Sequence, residues 1–291
     1  MPMDAIMPML TLNNGVTIPA LGFGVYRNPP AQTTVAVETA LANGYRLIDT
    51  AAAYGNETEV GSALSQSGVD RARLFITTKL WIEDYGYDSA LRAFDTSMAK
   101  VGLDTLDLYL LHQPLASDFD ATVASYQALQ TLYEQGRVRA IGVSNFGTAQ
   151  LAELLARTDV VPAVNQIEVH PYFTEPELRA FNLENGILTQ AWSPIGGVNR
   201  YAAKSGNVKD PLRDPLITAL AAKYSKTPAQ IILRWDIQQG LCAIPKSVSP
   251  KRIAENIDIF DFFLTNAELS DISALDTGIR GGPNPEDIRR S

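Results

Sequence analysis

Short apolar runs alternate along the chain with longer stretches whose apolar residues recur at helical spacing. Runs rich in valine, isoleucine and leucine predict strands at 21–24, 46–49, 74–79, 106–111, 140–144, 163–166, 187–191 and 242–245. Helical spacing lies between or after them at 32–43, 56–67, 88–101, 122–135, 148–156, 175–185 and 214–238. Ahead of these runs, MLTL and VTI flank Asn13-Asn14-Gly15, which predicts a β-hairpin.

This alternation predicts an α/β fold, a (β/α)8 TIM barrel preceded by the hairpin, in one domain over 1–291. Near-continuously apolar strands fit a parallel sheet that is covered on both faces. The alternative is an open, doubly wound sheet. Its GxGxxG fingerprint is absent after every predicted strand, and the nearest pattern, 22–27, ends in Arg27.

Several local signals refine this prediction. Gly44 predicts a left-handed cap at the end of the first helix, and Asp88 or Ser89 predicts the start of the helix after Lys79. The connection 193–214 is long and rich in glycine and proline, which is typical of functional loops.

Composition and charge exclude several classes of protein. The net charge of −8 and pI of about 4.9 argue against a nucleic-acid partner, because phosphates need a basic face. The single cysteine, Cys242, allows no internal disulfide. The start of the chain does not resemble a signal peptide, and no apolar run approaches the roughly 18 residues of a membrane span. We expect a cytoplasmic protein without a membrane partner.

Polar side chains of complementary type follow consecutive predicted strands. Asp49, Lys79 and His112 stand at three successive strand ends, and Tyr54 follows Asp49 closely. Catalytic residues of such barrels lie at this rim. Each residue alone has a plainer explanation, as a cap, a solvated charge, a structural histidine or a packing aromatic. Their occurrence together predicts a catalytic site.

The chemistry of these groups fits the reduction of a carbonyl. A tyrosine has an ordinary pKa of about 10, and we expect the Lys79 ammonium to lower the pKa of Tyr54. Asp49 would keep Lys79 charged by pairing with it. His112 can donate a hydrogen bond to a carbonyl oxygen, while Tyr54 gives that oxygen a proton.

Several segments together resemble the aldo-keto reductase superfamily. They are GFGVYRNPP, RLIDTAAAYGNETEVG, FITTKLW, LDLYLLHQP, IGVSNF, VNQIEVHPY, QAWSPIG and IPKSVSPKRIAEN, between about residues 10 and 275. The resemblance implies a catalytic tetrad of Asp49, Tyr54, Lys79 and His112, and NADPH/NADP+ bound without a Rossmann domain. The short interval between Tyr54 and Lys79, with Trp192, is most similar to the bacterial branch of 2,5-diketo-D-gluconic acid reductases.

The resemblance also implies the cofactor site. It places the nicotinamide carboxamide against Ser144, Asn145 and Gln166, although Ser144 and Asn145 could simply form a capping turn. Trp192 would stack on the nicotinamide ring. The turn after it would offer backbone amides to the pyrophosphate and consists of Ser193, Pro194, Ile195 and Gly196.

The segment after the last predicted strand is interpreted as the adenosine site. Lys246, Ser247 and Arg252 would clamp the 2′-phosphate, with Val248 beside them and Glu255 and Asn256 holding the adenine. Cations are unfavourable at the start of a helix, so their presence there indicates an anionic ligand. This favours NADPH over NADH.

By resemblance, the substrate pocket is lined by His112 together with Gly24, Val25, Tyr26, Trp81 and Gln113. Gln113 stands where the family commonly has tryptophan, so we expect a preference for more polar or larger substrates. His170 is interpreted as structural and Cys242 as an inert buried residue.

The predicted function is NADPH-dependent reduction of aldehydes or ketones, with keto-sugars among the candidate substrates, by a monomer whose partner is a small carbonyl substrate. One alternative is a barrel that binds NADPH as a regulatory or structural protein. The other is a metal-dependent hydrolase. With two histidines and no cluster at ligand spacing, no metal site is expected.

Overall fold

The computed structural model describes residues 7–196 and 210–290. The predicted hairpin is confirmed: β1 (Met9–Thr11) pairs antiparallel with β2 (Thr17–Pro19). Leu12 and Ile18 pack against the apolar side chains of the barrel interior, including Leu47. The hairpin therefore covers the end of the barrel at which the strands begin.

Eight parallel strands follow, and each is hydrogen-bonded to the next in chain order. They are β3 (Phe23–Gly24), β4 (Leu47–Asp49), β5 (Phe75–Leu80), β6 (Leu106–Leu111), β7 (Val138–Ser144), β8 (Val164–Glu168), β9 (Leu188–Trp192) and β10 (Cys242–Ile244). The barrel closes where Leu21 bridges Ala243 and the Gly24 amide donates to the Pro245 carbonyl at 3.0 Å. The predicted (β/α)8 barrel is confirmed.

The described helices surround this barrel. They are α1 (Pro30–Ala42), α2 (Glu57–Gln66), α3 (Tyr87–Val101), α4 (Phe119–Glu134), α5 (Thr148–Arg157), α6 (Pro176–Glu184), α7 (Pro215–Tyr224), α8 (Pro228–Gln238), α9 (Pro250–Ile257) and α10 (Asn266–Ser273). None of them is both long enough and apolar enough to cross a bilayer.

Two local predictions were wrong. The stretch 214–238 is two helices, because Ser225 adopts a left-handed conformation (φ 55°) that ends α7, and Thr227 forms a capping box that starts α8 before Pro228. The start of α3 is also earlier than predicted: Gly86 occupies the cap position, with φ 125°. Gly44 does have the predicted left-handed conformation.

The longest predicted connection, 193–214, is described only at its two ends. Residues 197–209 lie outside the described residues. Its beginning is a tight turn in which the Gly196 amide donates to the Ser193 carbonyl at 2.8 Å. Its end is a short 3-10 turn, Pro211–Arg213.

Candidate active site

The four residues predicted to be catalytic do meet at the carboxyl end of the barrel. Asp49 ends β4, Lys79 is near the end of β5, and His112 directly follows β6. Tyr54 lies on the 3-10 turn Ala52–Tyr54 after β4. The Lys79 ammonium donates to Asp49 Oδ1 at 2.5 Å, to the Thr50 carbonyl at 3.0 Å and to the Tyr54 hydroxyl at 3.3 Å.

The Asp49–Lys79 pair is buried: the side chains are 2% and 0% exposed. Burial raises the pKa of Asp49 and lowers the pKa of Lys79, because a low dielectric disfavours both charges. Their mutual attraction and hydrogen bond oppose both shifts. Gln166 supports the second carboxylate oxygen by donating to Asp49 Oδ2 at 2.7 Å. Both carboxylate oxygens of Asp49 therefore accept a hydrogen bond, one from Lys79 and the other from Gln166.

The expected lowering of the tyrosine pKa is not found. Burial raises the pKa of Tyr54 well above its ordinary value, and the charges of Asp49 and Tyr26 add to this rise. Asp49 is paired with Lys79 and brings its negative charge close to the hydroxyl. The phenol therefore stays protonated, which suits a proton donor. Lys79 is placed to stabilise the phenolate that forms when the proton leaves.

His112 is held as a neutral ring. Burial lowers its pKa well below the ordinary value, and the positive charge of Lys79 adds to the effect. The ring meets Tyr54 and Trp81 edge-on, with centroids 5.5 and 5.1 Å apart. Its buried Nδ1 has no hydrogen-bond partner among the described residues. No group within 7–196 and 210–290 fixes the tautomer at Nδ1, so a carbonyl oxygen at Nε2 would select the Nε2–H form.

The residues predicted to hold the carboxamide lie together beside the tetrad. Trp192 Nε1 donates to Asn145 Oδ1 at 2.8 Å, and Asn145 Nδ2 donates to the His112 carbonyl at 3.0 Å. The Ser144 hydroxyl donates to the Gln166 carbonyl at 2.8 Å. Asn145 has a positive φ of 66°, a strained conformation that is concentrated at functional sites.

The predicted adenosine residues form a separate group after β10. Ser247 and Asn256 are buried, Lys246 and Glu255 are half-buried, and Arg252 and Val248 are exposed. No ion pair of Lys246 or Arg252 is found with a described residue, although the chain is acidic overall. Both cations stand around the start of α9, where the helix dipole favours an anion.

The predicted substrate residues fall into two groups. Tyr26 lies 5.0 Å from Tyr54 between ring centroids and is 46% exposed, and Trp81 is half-buried beside His112. Val25 is buried in the hydrophobic core, and a Cβ on Gly24 would lie 3.1 Å from the Ile244 carbonyl. Tyr26 and Trp81 are thus the predicted pair that place aromatic rings next to the tetrad.

Gln113 is fixed through its backbone. Its carbonyl accepts from the Tyr85 hydroxyl at 2.5 Å, and its amide donates back to that hydroxyl at 3.2 Å. Its side-chain Oε1 is buried without a partner among the described residues.

Sequence reasoning missed several supporting residues. Gln190 accepts from Gln166 at 2.7 Å. Asn56 accepts from the Thr50 hydroxyl at 2.9 Å and donates to the Val25 carbonyl at 3.1 Å. The feature that could have revealed them is a polar residue within an otherwise apolar strand, or a polar residue next to a predicted catalytic residue.

A match to a known family covers most of the chain. The model of the Aldo/keto reductase family matches residues 20–277. The chain belongs to this family.

Relatives of this reductase agree with that assignment. It is 53% identical to morphine 6-dehydrogenase of Pseudomonas putida over 98% of this chain and 96% of the relative. It is 45% identical to glyoxal reductase of Bacillus subtilis over 95% of this chain and 96% of the relative. A solved Bombyx mori aldo-keto reductase in complex with NADP superposes with a TM-score of 0.88, at 38% identity over 95% of each chain. The narrower 2,5-diketo-D-gluconic acid branch stays a prediction.

Replacing Lys79→Met should destabilise this reductase more at pH 8 than at pH 5. Without the ammonium, burial raises the folded-state pKa of Asp49 further, so stability falls as the pH rises above the ordinary aspartate value of about 3.9. Near pH 8 we expect a loss of about 3–5 kcal/mol, typical of breaking a buried pair. Urea unfolding at both pH values measures it.

The double variant Lys79→Met/Asp49→Asn is the matched control. It removes the titrating group, so its deficit relative to the wild type should vary less with pH. Equal losses for the single variant at pH 5 and pH 8 would contradict the buried-pair explanation.

Proposed function

We propose that this chain reduces aldehydes or ketones to alcohols with NADPH, with Tyr54 as the proton donor. The observation that carries the proposal is the contact of the Tyr54 hydroxyl with Lys79 Nζ at 3.3 Å, while Lys79 is held by Asp49 at 2.5 Å. A phenol beside a buried ammonium and a neutral histidine can protonate a carbonyl oxygen and stabilise the phenolate left behind.

Each residue of the tetrad has its own role in this reaction. His112 donates a hydrogen bond from Nε2 to the carbonyl oxygen and orients it. The Tyr54 proton passes to the same oxygen as the carbonyl bond is reduced, and Lys79 stabilises the resulting phenolate. Asp49 keeps Lys79 positioned, and Tyr26 and Trp81 limit the water around the reacting atoms. When bound, NADPH supplies the hydride that adds to the carbonyl carbon.

The described residues fit this cofactor. Trp192 lies next to Asn145 and offers an aromatic surface for a nicotinamide ring, and Ser193–Gly196 form a tight turn beside it. Lys246 and Arg252, around the start of α9, suit a 2′-phosphate. The Bombyx mori relative is described in complex with NADP, which supports the same preference here.

The names of the relatives favour small carbonyl compounds or cyclic alcohols as substrates, since one acts on glyoxal and another on morphine.

A regulatory barrel that binds NADPH without turnover is the second candidate, but the assembled tetrad favours catalysis. Against a metal-dependent hydrolase, no group of three or more potential ligand side chains lies within 7–196 and 210–290. We also propose a cytoplasmic monomer, for which sedimentation would test the oligomeric state.

Replacing Tyr54→Phe should lower kcat for carbonyl reduction about 10²–10⁴-fold, because it removes a positioned general acid. NADPH absorbance loss with a panel of aldehydes and ketones measures this effect. Tyr87→Phe is the matched control, since its hydroxyl contacts Thr131 on the surface at 2.9 Å. A wild type that binds NADPH tightly and reduces no carbonyl would favour the regulatory candidate.

Replacing Arg252→Ala should raise the KM for NADPH much more than the KM for NADH, because NADH lacks the 2′-phosphate. We expect a change of roughly tenfold or more in their ratio, the value of about one charge-assisted hydrogen bond. Arg92→Ala removes an exposed cation on α3 and serves as the control. Equal effects of Arg252→Ala on both cofactors would argue against the phosphate contact.

Replacing Gln113→Trp should shift kcat/KM away from polar aldehydes and towards aromatic ones. The change removes the buried amide acceptor and adds an apolar wall, and each such contact affects discrimination by about 1–3 kcal/mol. Paired kinetics on a polar and an aromatic aldehyde measure the shift. An unchanged ratio would remove Gln113 from the set of specificity residues.

A further inference from the structure

The carboxyl-terminal residues of the chain cross part of the barrel rim. We call residues 280–290 the C-terminal strap. At its first end, the amides of Gly281 and Gly282 both donate to the Glu168 carboxylate, at distances of 2.9 to 3.1 Å. The Arg280 guanidinium lies 3.6 Å from the same carboxylate. His170 Nε2 lies 3.1 Å from Glu168 Oε1.

Glu168 is a carboxylate in an unusual position. It ends β8, is fully buried, and pairs in register with Trp192 at the end of β9. A buried carboxylate is costly unless its oxygens accept hydrogen bonds. Most of the described partners of this carboxylate belong to the strap. The strap therefore supplies hydrogen bonds to the buried carboxylate, and the carboxylate holds the strap in place.

The strap in turn touches the indole of Trp192. A Cβ on Gly282 would lie 2.5 Å from the outer edge of this indole and 3.2 Å from Glu168 Oε2. The backbone of Gly282 therefore lies so close to the ring that a side chain at this position would clash with it. The opposite edge of the same indole donates to Asn145 at 2.8 Å. The ring is held between the strap and the carboxamide residue.

Beyond Gly282 the strap borders a cavity. A cavity of about 200 Å³ lies between its residues 284–286 and the side chains of Phe146, Thr148 and Leu178. Other contacts hold the rest of the strap: Gln150 donates to Glu286 at 3.3 Å, and Arg290 donates to the carbonyls of Ile82 and Tyr85 at 3.0 and 2.8 Å. The strap is thus attached at several points along its length, and the attachment at Glu168 adjoins Trp192.

We infer that Glu168 is a positioning residue, which fixes the strap against Trp192 and thereby holds the indole in the orientation that receives the nicotinamide ring. This inference rests on the proposed NADPH-dependent function. It makes the affinity for NADPH depend on the C-terminal strap, which contacts Trp192 from outside the barrel. Detaching the strap at Glu168 should weaken NADPH binding, whereas detaching it at Arg290 should not.

Glu168→Gln tests this link with the smallest change of shape. The amide keeps one acceptor oxygen but turns an NH2 group towards the backbone N–H donors and loses the charge near Arg280. We expect the Kd for NADPH, measured by fluorescence titration, to rise about tenfold, equivalent to one hydrogen bond to a charged group. Hydrogen exchange of 280–290 in the cofactor-free protein should also become faster.

Arg290→Ala is the matched control, because it releases the far end of the strap and leaves Glu168 intact. We expect faster exchange near residue 290 and a Kd for NADPH within about twofold of the wild type, less than the contribution of one hydrogen bond. Gly282→Ala provides an independent variant if Glu168→Gln fails to fold. Its added methyl group displaces Trp192 and should also raise the Kd.

The outcomes separate the two proposals. A wild type that does not bind NADPH overturns the proposed function and this inference together. Normal binding by the wild type, with an unchanged Kd in folded Glu168→Gln or Gly282→Ala, overturns only the role of Glu168. Equal rises in Kd for Glu168→Gln and Arg290→Ala would show a general effect of the strap and also overturn that role.

Discussion

The buried pair of Asp49 and Lys79 is the interaction on which the active site depends. Neither charge could remain in so apolar a place alone, since an unpaired buried charge costs several kcal/mol. Their 2.5 Å contact joins neighbouring strands and directs the ammonium towards the Tyr54 hydroxyl. The same carboxylate accepts from Gln166. One pair therefore fixes the proposed proton donor and a residue of the predicted carboxamide site together.

The parallel barrel explains why these groups can meet. Residues distant in the chain reach one rim because all eight strands run in the same direction and close through Leu21 and Ala243. Apolar side chains fill the interior and the hairpin covers the other end. The rim then has two regions with different predicted roles. The aromatic rings around His112 face the proposed substrate, while the region from Ser144 to Trp192 and the start of α9 suit the cofactor.

Patterns within the sequence were enough to predict the barrel, the hairpin and the grouping of the tetrad. The wrong details have physical causes. Helical periodicity continues through Ser225, but a left-handed residue and a capping box divide the stretch into two helices. The direction of the Tyr54 pKa was also wrong, because burial and the charges of Asp49 and Tyr26 raise it. A sequence shows which charges are present and does not show how much water remains around them.

Local periodicity and strand direction predicted the barrel and the rim position of Asp49, Lys79 and His112, and the quoted motifs carried the resemblance to the family. The packed fold was needed to show that Gln190 supports Gln166 and that Glu168 binds the strap beside Trp192. Those contacts join segments that are far apart in the chain. Their geometry depends on how the packed rim brings backbone amides to a buried carboxylate, which no spacing in the sequence records.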